Sequence, residues 1–404
     1  MTKIGLNNTS LKQQNRGLVL KLVVTGECTS RIELSKKTGL SKMAVSNIVG
    51  EFLEDGLIEE NETMQKRGKG RNPVQLCIPA KAPKLIGINL YRERCSIVLC
   101  NLKLDILQKA SFGLNEKNSS KLLTQMYRAI DRILAENREE KIFGIGIGAI
   151  GPVNYKQGQI LTPPNFYGIH DLNLQEKIEQ KYKLPVYFDG ESNCAAIAEK
   201  YFGSGRACED FIYVDLANGI GTGVITNGKL YSNSSGMVCE LGHTSIDWQG
   251  NLCSCGNKGC LETYTSSNVI ARQLQEATGE KKSFREFCLE MEELLLKRAK
   301  AEDSLSEKAG RMDAVFLDMM EKLACGMISL VNGFNPQKII IGHEGFWIPD
   351  HYLKVLEEKV NERHIARKYR NVQVTKSHFE ADAALRGCAS SLLTAIFEGQ
   401  LFYQ

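Results

Sequence analysis

The sequence predicts a mixed α/β protein with a small helical head and a larger body, and three observations carry that prediction. Within the first 80 residues, two short helical segments are joined by a Gly-containing turn, and a basic glycine loop follows between strand-like runs. Beyond Pro83 apolar strands alternate with amphipathic helices, the pattern of α/β architecture. Charge is also uneven. Residues 1–80 carry 12 Lys and Arg against 8 Asp and Glu, while the remainder carries 39 of each, so the whole net charge of +4 sits in the head, where a polyanion can use it. A surplus of four is too small to decide the matter alone, and the decision falls to the pattern of each element.

In the head, Leu18, Leu20, Leu22, Val23 and Val24 mark a first helix over Asn15 to Thr25, which Gly26 ends. Ser30 and Glu33 form the S-x-x-E capping box, in which each side chain satisfies a free backbone amide, so a short helix starts at Ser30 and stops at Gly39. Ser41 caps a third helix, whose apolar Val45, Ile48, Val49, Phe52 and Leu53 recur at helical spacing while Lys42, Ser46 and Asn47 occupy its other face. The stretch "LIEENETMQKRGKGRNPVQLCI" then reads as two strands around a basic turn, the wing of a winged helix-turn-helix, with Lys66, Arg67, Lys69 and Arg71 at its tip. The expected DNA contacts are Arg31, Ser41, Lys42, Ala44, Ser46 and Asn47 on the helices, and Lys69 and Arg71 on the wing. The alternative is a structural three-helix bundle with a solvated basic loop, and the coincidence of turn, cap and wing in one register weighs against it.

In the body, "KLIGINLYRERCSIVLCNL" reads as a buried hairpin, "SKLLTQMYRAIDRILAEN" as a long helix and "IFGIGIGAIGPV" as a strand entering a glycine loop. "LPVYFDGESNCAAIAEKYFG" gives strand, turn and helix, "DFIYVDLANGIGTGVITNGKLY" two strands bent at glycines, and "NPQKIIIGHEGF" a last strand and loop. Glycine turns at strand ends let bare amides approach a small ligand. With 404 residues and 43% hydrophobic content, the chain can bury cores for two or three domains. Its first residues are polar and interrupted, and no apolar run reaches the roughly 20 residues of a membrane helix, so a cytoplasmic protein with no membrane partner is expected.

Most of the thirteen cysteines stand singly in apolar surroundings, which argues against a disulfide framework. "GNLCSCGNKGCLE" is the exception. Cys253, Cys255 and Cys260, with His243 upstream, supply three thiolates and one imidazole, the full tetrahedral set for one structural Zn²⁺ per chain, leaving no position open for a reactive water. A redox pair, which favours C-x-x-C over C-x-C spacing, and chance clustering are the alternatives.

The string "ELGH" followed by "CSCGNKGCLE" resembles the signature of the ROK family of bacterial sugar kinases and sugar-responsive repressors. "NRGLVLKLV", "GLSKMAVSNIVGEFLEDGLI" and "GRNP" are similar to the head of its repressor branch, and "GIGAIGP", "PPNFYG", "GIGTGV" and "NPQKIIIG" to later family motifs. The resemblance implies a two-lobed actin-like (ribonuclease H-like) sugar kinase fold behind the winged helix. The domains would be 1–80, 81–195 and 196–404, with a C-terminal helix returning to the first lobe. It also implies a zinc-pinned loop that turns Glu240, His243 and Glu262 towards a sugar in the interlobe cleft, with Gly151, Asn165 and Glu191 completing the site. Carboxylates and imidazole suit vicinal hydroxyls.

Two departures from the kinase pattern point away from catalysis. Where the kinases carry Asp-x-Gly-Gly-Thr, this chain has Asn89, Leu90, Tyr91, Arg92 and Glu93, and where they carry Asn-Asp, with that Asp as base, it has Gly190 and Glu191. The expectation is a sugar sensor that is not an enzyme. An active ATP-dependent sugar kinase with a DNA-binding extension is the alternative, and a zinc-dependent nucleic-acid module is a third reading, for which only Lys258 supplies a basic group near the metal. The methylene that Glu191 has beyond Asp extends the carboxylate by roughly 1.5 Å into the space of a hexose C6 group, which a pentose leaves free. Together with a likeness to xylose repressors in "HTSIDWQGNLCSCGNKGC", this favours D-xylose; a solvated loop carboxylate is the alternative for Glu191. Sugar would reorient two heads of a homodimer on operator DNA, whose half-sites lie about 34 Å apart, and so release it.

Overall fold

The computed structural model describes residues 8–62, 74–114, 118–164, 166–301 and 307–400. Three helices open the chain, α1 (Asn8–Val24), α2 (Arg31–Thr38) and α3 (Lys42–Glu54), and the strands β1 (Glu59–Glu62) and β2 (Val74–Cys77) pair antiparallel behind them. The wing residues Lys66, Arg67, Lys69 and Arg71, and Asn165, lie outside the described residues. Ser30 caps α2 by accepting from the Glu33 amide at 3.3 Å, but the Glu33 carboxylate reaches one residue further back than the expected box, to the Thr29 amide at 2.6 Å. Ser41 Oγ accepts from the Ala44 amide at 3.1 Å and starts α3, whose Val45, Ile48, Val49 and Phe52 are buried. Helix α1 begins seven residues earlier than its apolar pattern predicts, at Asn8. The polar early turns of α1 run against the end of the chain, with Gly17 set close to the Phe397 carbonyl and Gly399 close to that of Gln13.

The body contains two five-stranded sheets of the same plan. The first is formed by β3 (Lys84–Leu90), β4 (Arg94–Cys100), β5 (Ile106–Gly113), β6 (Ile142–Ala149) and β10 (Val186–Gly190), in the order β10-β6-β3-β4-β5. Helix α4 (Ser119–Glu136) lies on it, and the short strands β7 (Val153–Asn154), β8 (Gln159–Ile160) and β9 (Leu172–Asn173) lead to α5 (Leu174–Tyr182). Helix α6 (Glu191–Phe202) then crosses to the second sheet, β11 (Phe211–Leu216), β12 (Ile220–Thr226), β13 (Lys229–Leu230), β14 (Lys338–His343) and β15 (Gln373–Lys376), in the order β13-β12-β11-β14-β15. In each sheet three neighbouring strands are parallel and two further strands add antiparallel. That shared plan makes the body two similar lobes.

A short α7 (Glu262–Thr265) and the helices α8 (Ser267–Thr278), α9 (Phe284–Ala301), α10 (Glu307–Phe334) and α11 (Asp350–Arg363) give the second lobe its core around Phe287, Phe316 and Tyr352. The last two helices, α12 (Ala383–Gly387) and α13 (Ser390–Phe397), turn back to the first lobe: α12 packs on α6 and β3, and α13 on β6, β10 and α1. One continuous apolar cluster therefore runs from Leu20, Val45 and Phe52 in the head through Leu392, Leu393 and Ile396 to Leu85 and Val98 in the first lobe. Among the described residues no helix is long and apolar enough to cross a membrane.

Candidate functional site

Strand ends of both sheets converge on a cavity of about 310 Å³ between the lobes, the crevice in which α/β sheets hold small ligands. The first lobe contributes Gly151, just past β6, and the Gly190–Asn193 turn, where β10 becomes α6; the second contributes Asp215 at the end of β11 and the Gly219–Thr222 entry to β12. Glu240, His243 and Glu262 close the other wall. Five of the six residues expected to meet a sugar, Gly151, Glu191, Glu240, His243 and Glu262, thus line one cavity. Gly151 is there because of space: a Cβ at that position would lie 2.6 Å from Glu240 Oε1. A methyl group would push the carboxylate out of the site.

The cavity is rich in carboxylates that are poor in partners. Glu191 Oε2, Asp215 Oδ1 and Glu240 Oε1 are buried and meet no hydrogen-bond donor among the described residues. Burial pushes the Glu191 carboxyl well above the usual range, with Asp215 adding to the rise and Arg92 opposing it. Burial also raises Asp215, against the opposing influence of His343 and of the Ser192 hydroxyl, which lies 3.4 Å away. Glu240 is pushed up to about 7 by burial and then by the nearby Glu262. An acceptor left unmet in this way costs about 1–3 kcal/mol, a cost that a hydrogen-bond donor entering the cavity would offset.

Beneath the wall, His243 Nδ1 lies 3.5 Å from Cys253 Sγ, and the Cys255 and Cys260 sulfurs are 3.7 Å apart. The four ligand atoms lie within 4.8 Å of one another, a cluster that can hold a metal ion. Gly259, at φ +69°, allows the tight wrap, since a Cβ there would fall 1.7 Å from the Asp247 carbonyl oxygen. Glu262 Oε1 sits 3.2 Å from Cys253 Sγ and 3.5 Å from His243 Nδ1, so His243 belongs to both the cluster and the cavity wall, and Glu262 of the wall rests against the cluster.

A second cavity of about 650 Å³ opens beyond Tyr91 and is lined by Asn89, Arg94, Ser96, Glu191, His343 and Asp382 among others. Asn89 Nδ2 is buried there with no acceptor among the described residues. The rings of Tyr91 and His343 face each other at 5.0 Å and 30°, and Arg92 donates to the Pro164 carbonyl oxygen. His343 holds φ +55° and ψ −133°, a conformation that glycine adopts readily and other residues only under strain. Sequence reasoning did not name Asp215, Arg92 or His343 as site residues. The signals available were an acid closing the apolar run "FIYV" and a histidine following the glycine of "IIIG".

On the head, Lys42 and Asn47 are exposed at the start of α3, and Ala44 and Ser46 are half-buried. Arg31 is already engaged. It pairs with Glu60 of β1 at 2.9 Å and donates to the Ser46 carbonyl oxygen at 3.5 Å, so it ties α2, α3 and the wing strand together.

Comparison with known proteins agrees with this architecture. The profile of the ROK family matches residues 85–395. The chain is 31% identical to a xylose repressor of Caldicellulosiruptor bescii over 393 residues, covering 96% of this chain and 97% of that one. It is 28% identical to the DNA-binding transcriptional repressor Mlc of Escherichia coli over 397 residues, covering 97% and 95%. A crystal structure of a ROK family transcriptional regulator, described as a homologue of Mlc, superposes with a TM-score of 0.79 at 26% identity, covering 97% of this chain and 98% of that one. The profile match, the full-length relative and the shared fold show that the chain belongs to the ROK family.

Proposed function

We propose that this ROK-family chain is a sugar-responsive transcriptional repressor, which binds operator DNA through its head and a pentose, D-xylose or a close relative, in the 310 Å³ cavity. The observation that carries the reading is the set of buried, unpartnered acceptors on Glu191, Asp215 and Glu240. A polyol supplies the hydroxyls they lack, and its binding relieves their desolvation. Full-length relatives carry the names xylose repressor and Mlc, which agrees with both halves of the proposal.

The chain reports sugar without phosphorylating it. Asn89 stands where the family's kinases carry a carboxylate, and Tyr91 and Arg92 replace the two glycines of their phosphate loop, with the Tyr91 and His343 rings paired at 5.0 Å on the wall of the second cavity. His343, strained at the end of β14, lines the same cavity.

The cluster on His243, Cys253, Cys255 and Cys260 suits Zn²⁺. A tetrahedral ion with Zn–S of ~2.3 Å and Zn–N of ~2.05 Å needs S···S edges of about 3.8 Å and S···N edges of about 3.6 Å. One S···S separation of 3.7 Å and one S···N separation of 3.5 Å match these edges, and all four ligand atoms lie within 4.8 Å of one another. Bound there, the ion supplies structural order and no open coordination site. His243 commits Nδ1 to the cluster and leaves Nε2 for the sugar, and Glu262 is held beside it.

Coupling to the head follows α6. The helix starts at Glu191 in the cavity and ends where Tyr201 takes Lys21 of α1 over its ring at 5.3 Å and meets the Phe397 ring at 5.1 Å. Just beyond, Arg206 donates to the Thr25 carbonyl oxygen at 2.6 Å. A sugar that shifts the start of this helix moves the seat of the head, and a homodimer whose two heads change spacing leaves its operator. The test is a gel shift at fixed salt against the DNA upstream of the protein's own gene, with D-xylose, D-glucose and N-acetylglucosamine added in turn. Release by xylose is expected. Release by neither pentose nor hexose, or sugar-dependent ADP formation from ATP, refutes the proposal.

A further inference from the structure

The third helix of the head exposes one large apolar side chain that neither the fold nor the expected DNA contacts use. Met43, the second residue of α3, is 76% exposed. At about 100° per residue it lies roughly 180° from Phe52, directly opposite the buried face. Asn47 follows at i+4 on the same outward stripe and is exposed beside it. Gly50 extends that stripe with nothing within 4 Å of where its Cβ would be, so the surface beyond Asn47 is open. Lys42 flanks the stripe, and Arg31 of the preceding helix is held by Glu60.

Resting on the repressor reading, we infer that Met43 is a specificity-determining residue that packs against the 5-methyl group of a thymine in the major groove, next to the base edge that Asn47 meets. Helix-turn-helix proteins read bases from the N-terminal residues of this helix. In the major groove the only apolar feature that distinguishes base pairs is the thymine methyl, and an unbranched thioether can follow it closely. The flanking positive charge and the basic excess of the head select a polyanion over an apolar protein partner for this face. Met43 is 76% exposed, so its replacement should cost the fold little and report mainly on binding.

The experiment uses the full-length protein. Duplexes are enriched from a random pool, and each thymine of the enriched half-site is then replaced by deoxyuridine, which removes only the methyl. Dissociation constants are measured at one salt concentration for the wild type, Met43→Ala and Met43→Leu. For the wild type, one thymine per half-site should matter, its methyl being worth about fourfold in affinity, the fold-change equivalent to about 0.8 kcal/mol for one buried carbon. Met43→Ala should bind the thymine duplex about as weakly as the wild type binds the deoxyuridine one, and lose nothing more on methyl removal. Met43→Leu should keep the methyl dependence. Equal methyl dependence in wild type and Met43→Ala, or none in the wild type, overturns the inference and leaves operator binding standing. Failure to enrich any duplex overturns operator binding itself, and this inference with it.

Discussion

Gly17→Ala tests whether α1 is seated on the C-terminal helix as tightly as the structure has it. Two effects of opposite sign meet at this residue. Inside a helix, Ala is favoured over Gly by about 0.8–1.0 kcal/mol. Against that, the new Cβ would lie 2.3 Å from the Phe397 carbonyl oxygen, 2.7 Å from its carbon and 2.9 Å from the Gly399 nitrogen, all of them backbone atoms that no rotamer change can move. Overpacking costs about 1–3 kcal/mol, and a clash with backbone belongs at the upper end, so the net loss should be about 1–2 kcal/mol. Gly310→Ala in α10 is the control, because among the described residues nothing lies within 4 Å of its Cβ position and the propensity gain remains. Native-state hydrogen exchange reads both. Amides of α1 and α13 should exchange about 5- to 30-fold faster in Gly17→Ala, whereas the start of α10 should slow about fourfold in Gly310→Ala. If Gly17→Ala instead slows exchange in α1 as Gly310→Ala does in α10, the two helices are not in contact, and Phe397 drops out of the route from α6 to the head.

Asp189 is buried, accepts from the Gly190 amide and the Asn193 side chain at 2.7 Å each, and is pushed up to about 6 by burial, against the pull of those two donors. A folded-state value above the unfolded one means that its contribution is fully present below about pH 3.8 and lost as the pH rises through about 6, on the order of 3 kcal/mol in all. Urea denaturation at pH 4.5 and pH 7 should therefore show a smaller loss of stability with rising pH in Asp189→Asn than in the wild type, and equal losses would contradict the assignment. Cys255→Ser should lower the zinc found by elemental analysis below one per chain and open the 244–262 loop to protease; wild-type zinc content in the variant would dismiss the cluster as the metal site. Phe52→Ala removes a fully buried ring in the head and should cost about 3–5 kcal/mol there, abolishing DNA binding while the xylose-induced rise in melting temperature of the body persists.

Local chemistry made the head readable in the sequence. The caps at Ser30 and Ser41, the stop at Gly39 and the apolar positions of α3 each depend on neighbours within one or two turns, and the structure places them as the pattern requires. The cysteine cluster was legible for a similar reason, because soft ligands at close spacing leave few other uses for themselves. The early start of α1 was not legible, since its polar first turns owe their place to residues near 397–399, far along the chain.

The same division holds for the cavity. The resemblance to the ROK family implied that Glu191, Glu240, His243 and Glu262 would face one ligand, and all four line one cavity. Only the tertiary structure decided that Asp215 joins them, that Tyr91 and His343 pair on the wall of the neighbouring cavity, and that Arg31 is spent on Glu60. Those facts depend on strands from two sheets meeting end to end and on a helix that spans both lobes. Such contacts are fixed by burial summed over the whole chain, and no local run of residues records them.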